Sequence, residues 1–461
     1  METFFKTNCS FLQNELLDVA RLFKRRPVSV LHEFRFENGV FYNSFVVDGQ
    51  SYSFKNEGQV PNELIFKRLE RRFAKLAFFK ILRVGNNDQM PWGALTGIRP
   101  TKLAYTELAE GRAFEPLFEM MFVSEENVRL IERVLKAQEG IYERNDDNFD
   151  VFVSLPFCPT KCAYCSFITA PIEKTRSFLP DYLSCLKREI EAGRSLSRTL
   201  RSLYIGGGTP FALEASELEQ VLKALSSYVV PGVEYTVEAG RPDTFTEEKL
   251  RLLKDYGVNR VCINPQTFSD ETLKAIGRKH TVAQVYQAFE MMQKYDFTIN
   301  ADLIAGLTGE TPETFALGVE KAVATGAENI TVHCLSLKSG AKLKEECEYL
   351  DNPAVSKMVA SAREILTANG YEPYYLYRQK YQVGNNENTG WTKPGKACVY
   401  NIDIMEETAN NLAFGANGVS KKVENAENKI SRFAAPKDLR TYIQKIDEII
   451  AGKEKFFHSN A

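Results

Sequence analysis

Leu155-Pro156-Phe157-Cys158-Pro159-Thr160-Lys161-Cys162-Ala163-Tyr164-Cys165 is the stretch on which the reading of this chain turns. It sets three cysteines in a C-x3-C-x2-C spacing, an aromatic before the third, directly after the apolar run Val151–Ser154. A short apolar run that breaks into a Pro-containing polar loop reads as a strand with the loop at its carboxyl end. Thiolates are soft ligands suited to iron–sulfur clusters or zinc. A structural zinc site wants a fourth Cys or His close by; no His lies in this loop and the chain has only four. Three cysteines on one short loop hold three irons of a four-iron cubane and leave the fourth iron open to a chelating ligand. The other six of the nine cysteines (Cys9, Cys185, Cys262, Cys334, Cys347 and Cys398) are scattered, as reduced core or surface residues are in a long cytosolic chain.

Downstream of the cysteines the pattern is regular. Strand candidates Val151–Ser154, Ser202–Ile205, Glu234–Val237, Arg260–Ile263, Thr298–Ile304 and Asn329–Leu335 alternate with helical stretches near 179–195, 215–227, 246–256, 282–295 and 311–325. Six such alternations predict an α/β fold: a parallel sheet with right-handed crossovers, curled into a full or partial barrel. Chemistry in such folds sits at the carboxyl ends of the strands. Several polar segments fall there. Gly206-Gly207-Gly208-Thr209-Pro210 ends the second strand and would expose backbone polar groups to a ligand. Glu238 and then Arg241 end the third, Asn264-Pro265-Gln266 the fourth, and Asp302 the fifth; Arg278 and His280 follow the next short helix.

Taken together, these segments resemble the radical SAM superfamily, whose members hold a [4Fe–4S] cluster and S-adenosyl-L-methionine (SAM). The resemblance implies a partial (β/α)6 barrel over residues 149–340, with Cys158, Cys162 and Cys165 as cluster ligands. It implies that Tyr164 stacks near the adenine, that Gly206, Gly207, Gly208 and Thr209 contact the methionyl amino group, and that Glu238 and Gln266 face the bound SAM. Arg278 would pair with the SAM carboxylate, a natural bidentate partner, and Asp302 with the ribose hydroxyls. From Val151 to Lys421 the chain is similar to the oxygen-independent coproporphyrinogen III oxidase group, including the glycine-rich segment Asn411–Ser420. Gly97–Thr101 and Tyr374–Lys380 resemble segments of its coproporphyrinogen dehydrogenase HemZ type. The activity implied is oxidative decarboxylation of coproporphyrinogen III propionates to vinyls, giving protoporphyrinogen IX, with an electron donor such as flavodoxin or ferredoxin as partner. A tetrapyrrole with four carboxylates needs cations and aromatic walls; Arg241, Arg378, Lys380 and Tyr375 are the candidates, Arg241 being the one assigned a catalytic role beside Tyr164.

Two departures keep other functions in view. Where that group carries a fourth cysteine two positions after the third ligand, this chain has Phe167. A sister branch without that cysteine comprises heme chaperones bearing a His-Asn-x-x-Tyr-Trp segment; the nearest stretch here, Glu387–Trp391, has no His. A heme-binding carrier that keeps the cluster, and a radical SAM enzyme acting on another tetrapyrrole, are therefore the alternatives.

Outside this core, 461 residues leave room for two or three domains. Residues 1–148 read as an α+β extension: a strand Val40–Val47 turning at Asp48-Gly49, a basic amphipathic helix Asn62–Ile81, and a helix Ser124–Tyr142 capped by Ser124. Residues 341–461 read as a smaller α+β region covering the substrate, with a helix Ser356–Asn369 stopped by Gly370, an Asn/Gly-rich loop 384–390, and one amphipathic helix Pro436–Ile450. With 58 basic against 60 acidic residues, the net charge of -2 offers no general attraction to nucleic acid or anionic membrane. The first 22 residues lack a signal-peptide core and no run of about 18 apolar residues occurs, so a cytoplasmic protein without membrane insertion is expected.

Overall fold

The computed structural model describes residues 3–86, 90–96, 99–165, 169–336, 352–379, 386–424 and 429–458. Phe167, Lys380, Gly97 and the first two residues of the loop 384–390 lie outside the described residues. The chain forms two compact units: Met1–Glu132 with Arg378–Lys380, and Arg133–Tyr377 with Tyr381–Ala461.

In the first unit, β1 (Phe4–Thr7) pairs parallel with β2 (Ser29–Glu37), which continues antiparallel through β3 (Val40–Val47) and β4 (Gln50–Glu57). Alternation in β3 buries Phe41, Asn43, Phe45 and Val47. The β3–β4 turn places Asp48 and Gly49 at φ 46° and 85°, the left-handed pair that tight hairpins require. The basic helix runs Glu63–Arg83 with Asn62 capping Ile65 N at 2.9 Å. Its other face is aromatic and buried, and Phe78 stacks on Phe45 with centroids 5.3 Å apart. Arg378 belongs to this unit: it donates to the Leu95 carbonyl at 2.7 Å and lies over the Trp92 ring.

The second unit holds β5 (Asn148–Leu155), the two-residue strands β6 (Phe157–Cys158) and β7 (Ala170–Pro171), then β8 (Thr199–Gly207), β9 (Glu234–Gly240), β10 (Arg260–Gln266), β11 (Thr298–Ala305) and β12 (Asn329–Cys334). β5, β8, β9, β10, β11 and β12 lie side by side in chain order and all parallel, as the alternating pattern predicts. Their helices, 179–193, 215–225, 247–255, 282–292 and 312–324, fall within the expected stretches. Alternation splits each strand into two faces. One face is apolar and fully buried: Val151, Val153, Leu203, Ile205, Tyr235, Val237, Val261, Ile263 and Ala301. The other carries polar side chains that bond across the sheet, among them Asp150 with Ser202, Glu234 with Arg260, and Arg260 with Asn300 at 2.8 Å. The helices cover the first face; the second face is where a ligand can be bound.

The region after residue 340 contains more sheet than its weak periodicity suggests. β13 (Glu372–Tyr377) and β14 (Asn388–Thr392) extend one edge antiparallel, while β15 (Asn410–Phe414) pairs parallel with β5 and leads into β16 (Val419–Glu424) and β17 (Lys429–Ala434). The end of the expected Asn/Gly-rich loop is β14. Packing explains it: a Cβ on Gly390 would fall 1.9 Å from the Tyr375 ring, so glycine is what lets that ring lie across the strand. The tail is two helices, Leu439–Gln444 and Ile446–His458, not one. The break at Lys445 lets Tyr442 and Lys453 both reach the buried Glu189 carboxylate. Among the described residues, no helix is long and apolar enough to cross a membrane.

Candidate active site

The cysteine loop leaves β5 and is tied down at four backbone points. Ala170 N donates to Pro156 O and Thr209 N to Phe157 O, both at 2.7 Å; Ala163 N reaches Ile276 O at 3.0 Å and Cys165 N reaches Cys162 O at 3.1 Å. Cys162 is buried, whereas Cys158 and Cys165 are partly open. Cys158 Sγ accepts from Thr209 Oγ1 at 3.4 Å. Burial pushes the Cys158 thiol up to about 11, and the two neighbouring thiols add to the shift against the Thr209 bond. A Cys158 thiolate in this loop thus needs a compensating cation, which iron would supply. Among the described residues, no three His, Cys, Asp or Glu side chains converge as ligands of a single ion. A cubane asks for something else: one thiolate on each of three separate corners.

Around the loop, the carboxyl ends of the strands form a polar rim. A Cβ on Gly206 would meet Glu238 Oε2 at 2.7 Å, one on Gly207 (φ 100°) Ser154 Oγ at 2.9 Å, and one on Gly208 the Phe157 carbonyl at 2.5 Å. The three glycines therefore let backbone, cysteine loop and Glu238 approach one another closely. Glu238 accepts from Asn264 Nδ2 at 3.1 Å. Its carboxyl is pushed up to about 7, chiefly by burial and then by Asp302, against the pull of Asn264, His333 and the Gly207 amide. Asp302 lies 3.9 Å from His333 Nε2, and His333 Nδ1 is 3.3 Å from the Tyr377 hydroxyl.

Three buried polar atoms here have no hydrogen-bond partner: Gln266 Oε1, Asn264 Oδ1 and Arg278 Nε. Gln266 sits at φ 70°, an unusual backbone for a non-glycine residue and one that tends to mark functional positions. Arg278 is 8% exposed, donates to the Tyr164 hydroxyl at 3.0 Å and also to the Asn264 carbonyl. An amino acid zwitterion joined to a ribose offers the ammonium, carboxylate and hydroxyls that such orphaned acceptors, guanidinium and carboxylates would satisfy. The residue set thus fits both a cubane and SAM.

Thr209 is buried against Cys158, and Tyr375 is buried with its hydroxyl 3.2 Å from Thr331 Oγ1. Arg241 is placed differently from a substrate cation: it is 2% exposed, with both faces of its fork on Asp243 and its last nitrogen on Thr160. His333 stands outside the motifs that the sequence displays. Its signal was available, as one of four histidines and at the end of the sixth strand.

Residues 152–320 match the family model described as the Radical SAM superfamily. Over 410 residues, 85% of this chain, it is 35% identical to the oxygen-independent coproporphyrinogen-III oxidase-like protein HemZ of Bacillus subtilis, covering 81% of that protein. The chain belongs to the radical SAM superfamily, in its HemN/HemZ-like group. This radical SAM protein is also 34% identical to the heme chaperone HemW of Lactococcus lactis over 276 residues, 58% of the chain and 68% of that relative. Its fold is similar to that of the coproporphyrinogen III oxidase HemN of Escherichia coli, with a TM-score of 0.55 at 21% identity over 68% of this chain and 72% of that one. The radical SAM family uses a [4Fe–4S] cluster and SAM.

Proposed function

We propose that this radical SAM protein oxidatively decarboxylates propionate side chains of coproporphyrinogen III to vinyl groups. The observation that carries the reading is the likeness to HemZ, named as coproporphyrinogen-III oxidase-like, over four fifths of its length. Bound together, the cluster and SAM supply one-electron, hydrogen-abstracting chemistry, and the protein provides binding and orientation. Each propionate would give up a β-hydrogen atom to the radical chemistry that SAM supplies, one electron to an external one-electron acceptor, and CO2, leaving a vinyl group.

In this reading the ligands of the cluster are Cys158, Cys162 and Cys165. Gly206 to Thr209, Glu238, Gln266, Arg278 and Asp302 line the SAM position, and Tyr164, oriented by Arg278, borders it. Residues 149–340 carry the cofactors, 341–461 cover the substrate, and 1–148 are an extension. The polar sheet face continues past Asp302 to His333, Tyr377 and Tyr375, which offer a propionate hydroxyl and imidazole donors and a tetrapyrrole aromatic walls.

The similarity to HemW favours a second reading, a heme carrier. Against it stands the stretch Glu387–Trp391. Glu387 is 2% exposed and paired with Arg363 at 2.7 Å, and Asn388 holds the Cys334 amide at 2.7 Å, so neither is available to a heme iron. The test is anaerobic, reconstituted protein with coproporphyrinogen III, SAM and reductant. Vinyl products with matching CO2 release are expected. SAM cleavage without CO2, or heme that co-purifies and is not turned over, overturns the proposal.

A further inference from the structure

The Arg241 guanidinium is used up inside the protein, and what it holds is the cysteine loop. Its Nε and Nη2 donate to the two carboxylate oxygens of Asp243 at 2.9 and 2.6 Å, and Nη1 donates to Thr160 Oγ1 at 2.5 Å. Thr160 lies in the three-residue span between Cys158 and Cys162. The other backbone ties fall outside that span: Thr209 N holds Phe157 before it, and Ile276 O holds Ala163 after it. Among the hydrogen bonds of the described residues, the Arg241–Thr160 bond is the one that anchors the span itself.

Its surroundings make the anchor stiff. Arg241 follows Gly240 (φ 87°) at the end of β9, and its carbonyl accepts from Thr244 N and Thr244 Oγ1 at 3.0 and 2.6 Å, so the backbone is fixed by its own turn. Asp243 keeps its charge: burial works against it, but the two-pronged Arg241 contact outweighs burial. His280, 2% exposed, fills the space beside this pair with Nδ1 4.0 Å from Asp243 Oδ1. Burial first, then the flanking Arg278 and Arg241, push that ring down to about 4 and leave it neutral. Arg278 meanwhile holds Tyr164 at the far end of the loop. The cysteine loop is therefore gripped twice: at Thr160 by an arginine neutralised by an acid, and at Tyr164 by an arginine that faces the proposed SAM position.

We propose that Arg241 is a positioning residue that fixes the Cys158–Cys162 span through Thr160, with Asp243 orienting its guanidinium. It sets the spacing of the first two thiolates and does not bind substrate. This rests on the assignment of the cysteines as cluster ligands, and the test is built to separate the two. Thr160→Val removes the acceptor while keeping shape and backbone preference; Thr160→Ser keeps the hydroxyl. The first readout is trypsin cleavage after the exposed Lys161 in the full-length chain without metal. Loss of a charge-assisted bond should raise local opening, and hence cleavage, on the order of tenfold in Thr160→Val and Arg241→Gln. Thr160→Ser should cleave like the parent, and Thr160→Val/Arg241→Gln no faster than either single variant. The second readout is the electron paramagnetic resonance spectrum of the reconstituted protein before and after reduction. Both variants should show altered g-values of the reduced four-iron cluster and, before reduction, the signal of an oxidised three-iron form, while Thr160→Ser should give the parent's spectra. Parent-like cleavage and spectra in Thr160→Val, or additive effects in the double variant, overturn the brace. A parent protein that takes up no iron and sulfide overturns the ligand assignment instead, while the cleavage comparison still decides the brace.

Discussion

Glu238 carries a charge-state prediction whose size follows from its surroundings. The carboxyl has an ordinary value of 4.5, and burial with the nearby Asp302 raises it to about 7 in the folded chain. The folded state therefore binds this proton more tightly than the unfolded state does. Below 4.5 both states are protonated and Glu238 costs nothing. As pH rises through the window from 4.5 to 7 the unfolded chain ionises first, so stability falls; above 7 the full cost of a buried carboxylate is present. The difference corresponds to about 3 kcal/mol. Glu238→Gln keeps an oxygen to accept from Asn264 Nδ2 and removes the charge. In metal-free, full-length protein the variant should match the parent near pH 4.5 and exceed it by about 3 kcal/mol at pH 8. Denaturant unfolding, followed through the transition of the parallel-sheet unit at several pH values, measures the gap, and groups common to both proteins cancel in it. A gap that stays constant from pH 5 to 8, or a variant less stable than its parent at pH 8, would refute the reasoning.

Gly206→Ala should weaken SAM binding at least tenfold, because its Cβ would stand 2.7 Å from Glu238 Oε2 and 2.8 Å from the Tyr204 ring and displace both side chains; equilibrium binding to the reconstituted protein checks this, and unchanged affinity contradicts it. Lys453→Met should destabilise the second unit by about 3–5 kcal/mol, since it leaves the buried Glu189 carboxylate without its cation. The double variant Lys453→Met/Glu189→Gln should recover most of that loss, as thermal unfolding will record.

The parallel core was legible because its two signals reinforce each other. β5 to β12 alternate an apolar helix-facing row with a polar row, and a turn-rich, chemically distinctive segment closes each strand. Cys158, Gly206, Glu238, Gln266 and Asp302 could be placed on one rim from that alternation alone. What the sequence hid depends on contacts between distant segments. β14 reads as a loop because its Asn and Gly are poor strand formers, and only the Tyr375 ring lying over Gly390 explains why it is a strand. Arg241 read as a cation for substrate because a charge at a strand mouth faces a cavity by default. Its bond to Thr160 spans 81 residues, a separation that no local pattern encodes. Arg378 reads as a substrate cation for the same reason, and its contact with the Leu95 carbonyl spans 283 residues.

The central claim is that Cys158, Cys162 and Cys165 hold three irons and leave a fourth open to SAM. Electron–nuclear double resonance on the reduced, reconstituted protein with SAM labelled with nitrogen-15 in its amino group and oxygen-17 in its carboxylate tests it directly. The account predicts hyperfine coupling of the cluster to both labels, lost together with the four-iron signal in Cys162→Ala. Absence of both couplings with SAM bound, or a four-iron signal that survives in Cys162→Ala, would contradict it.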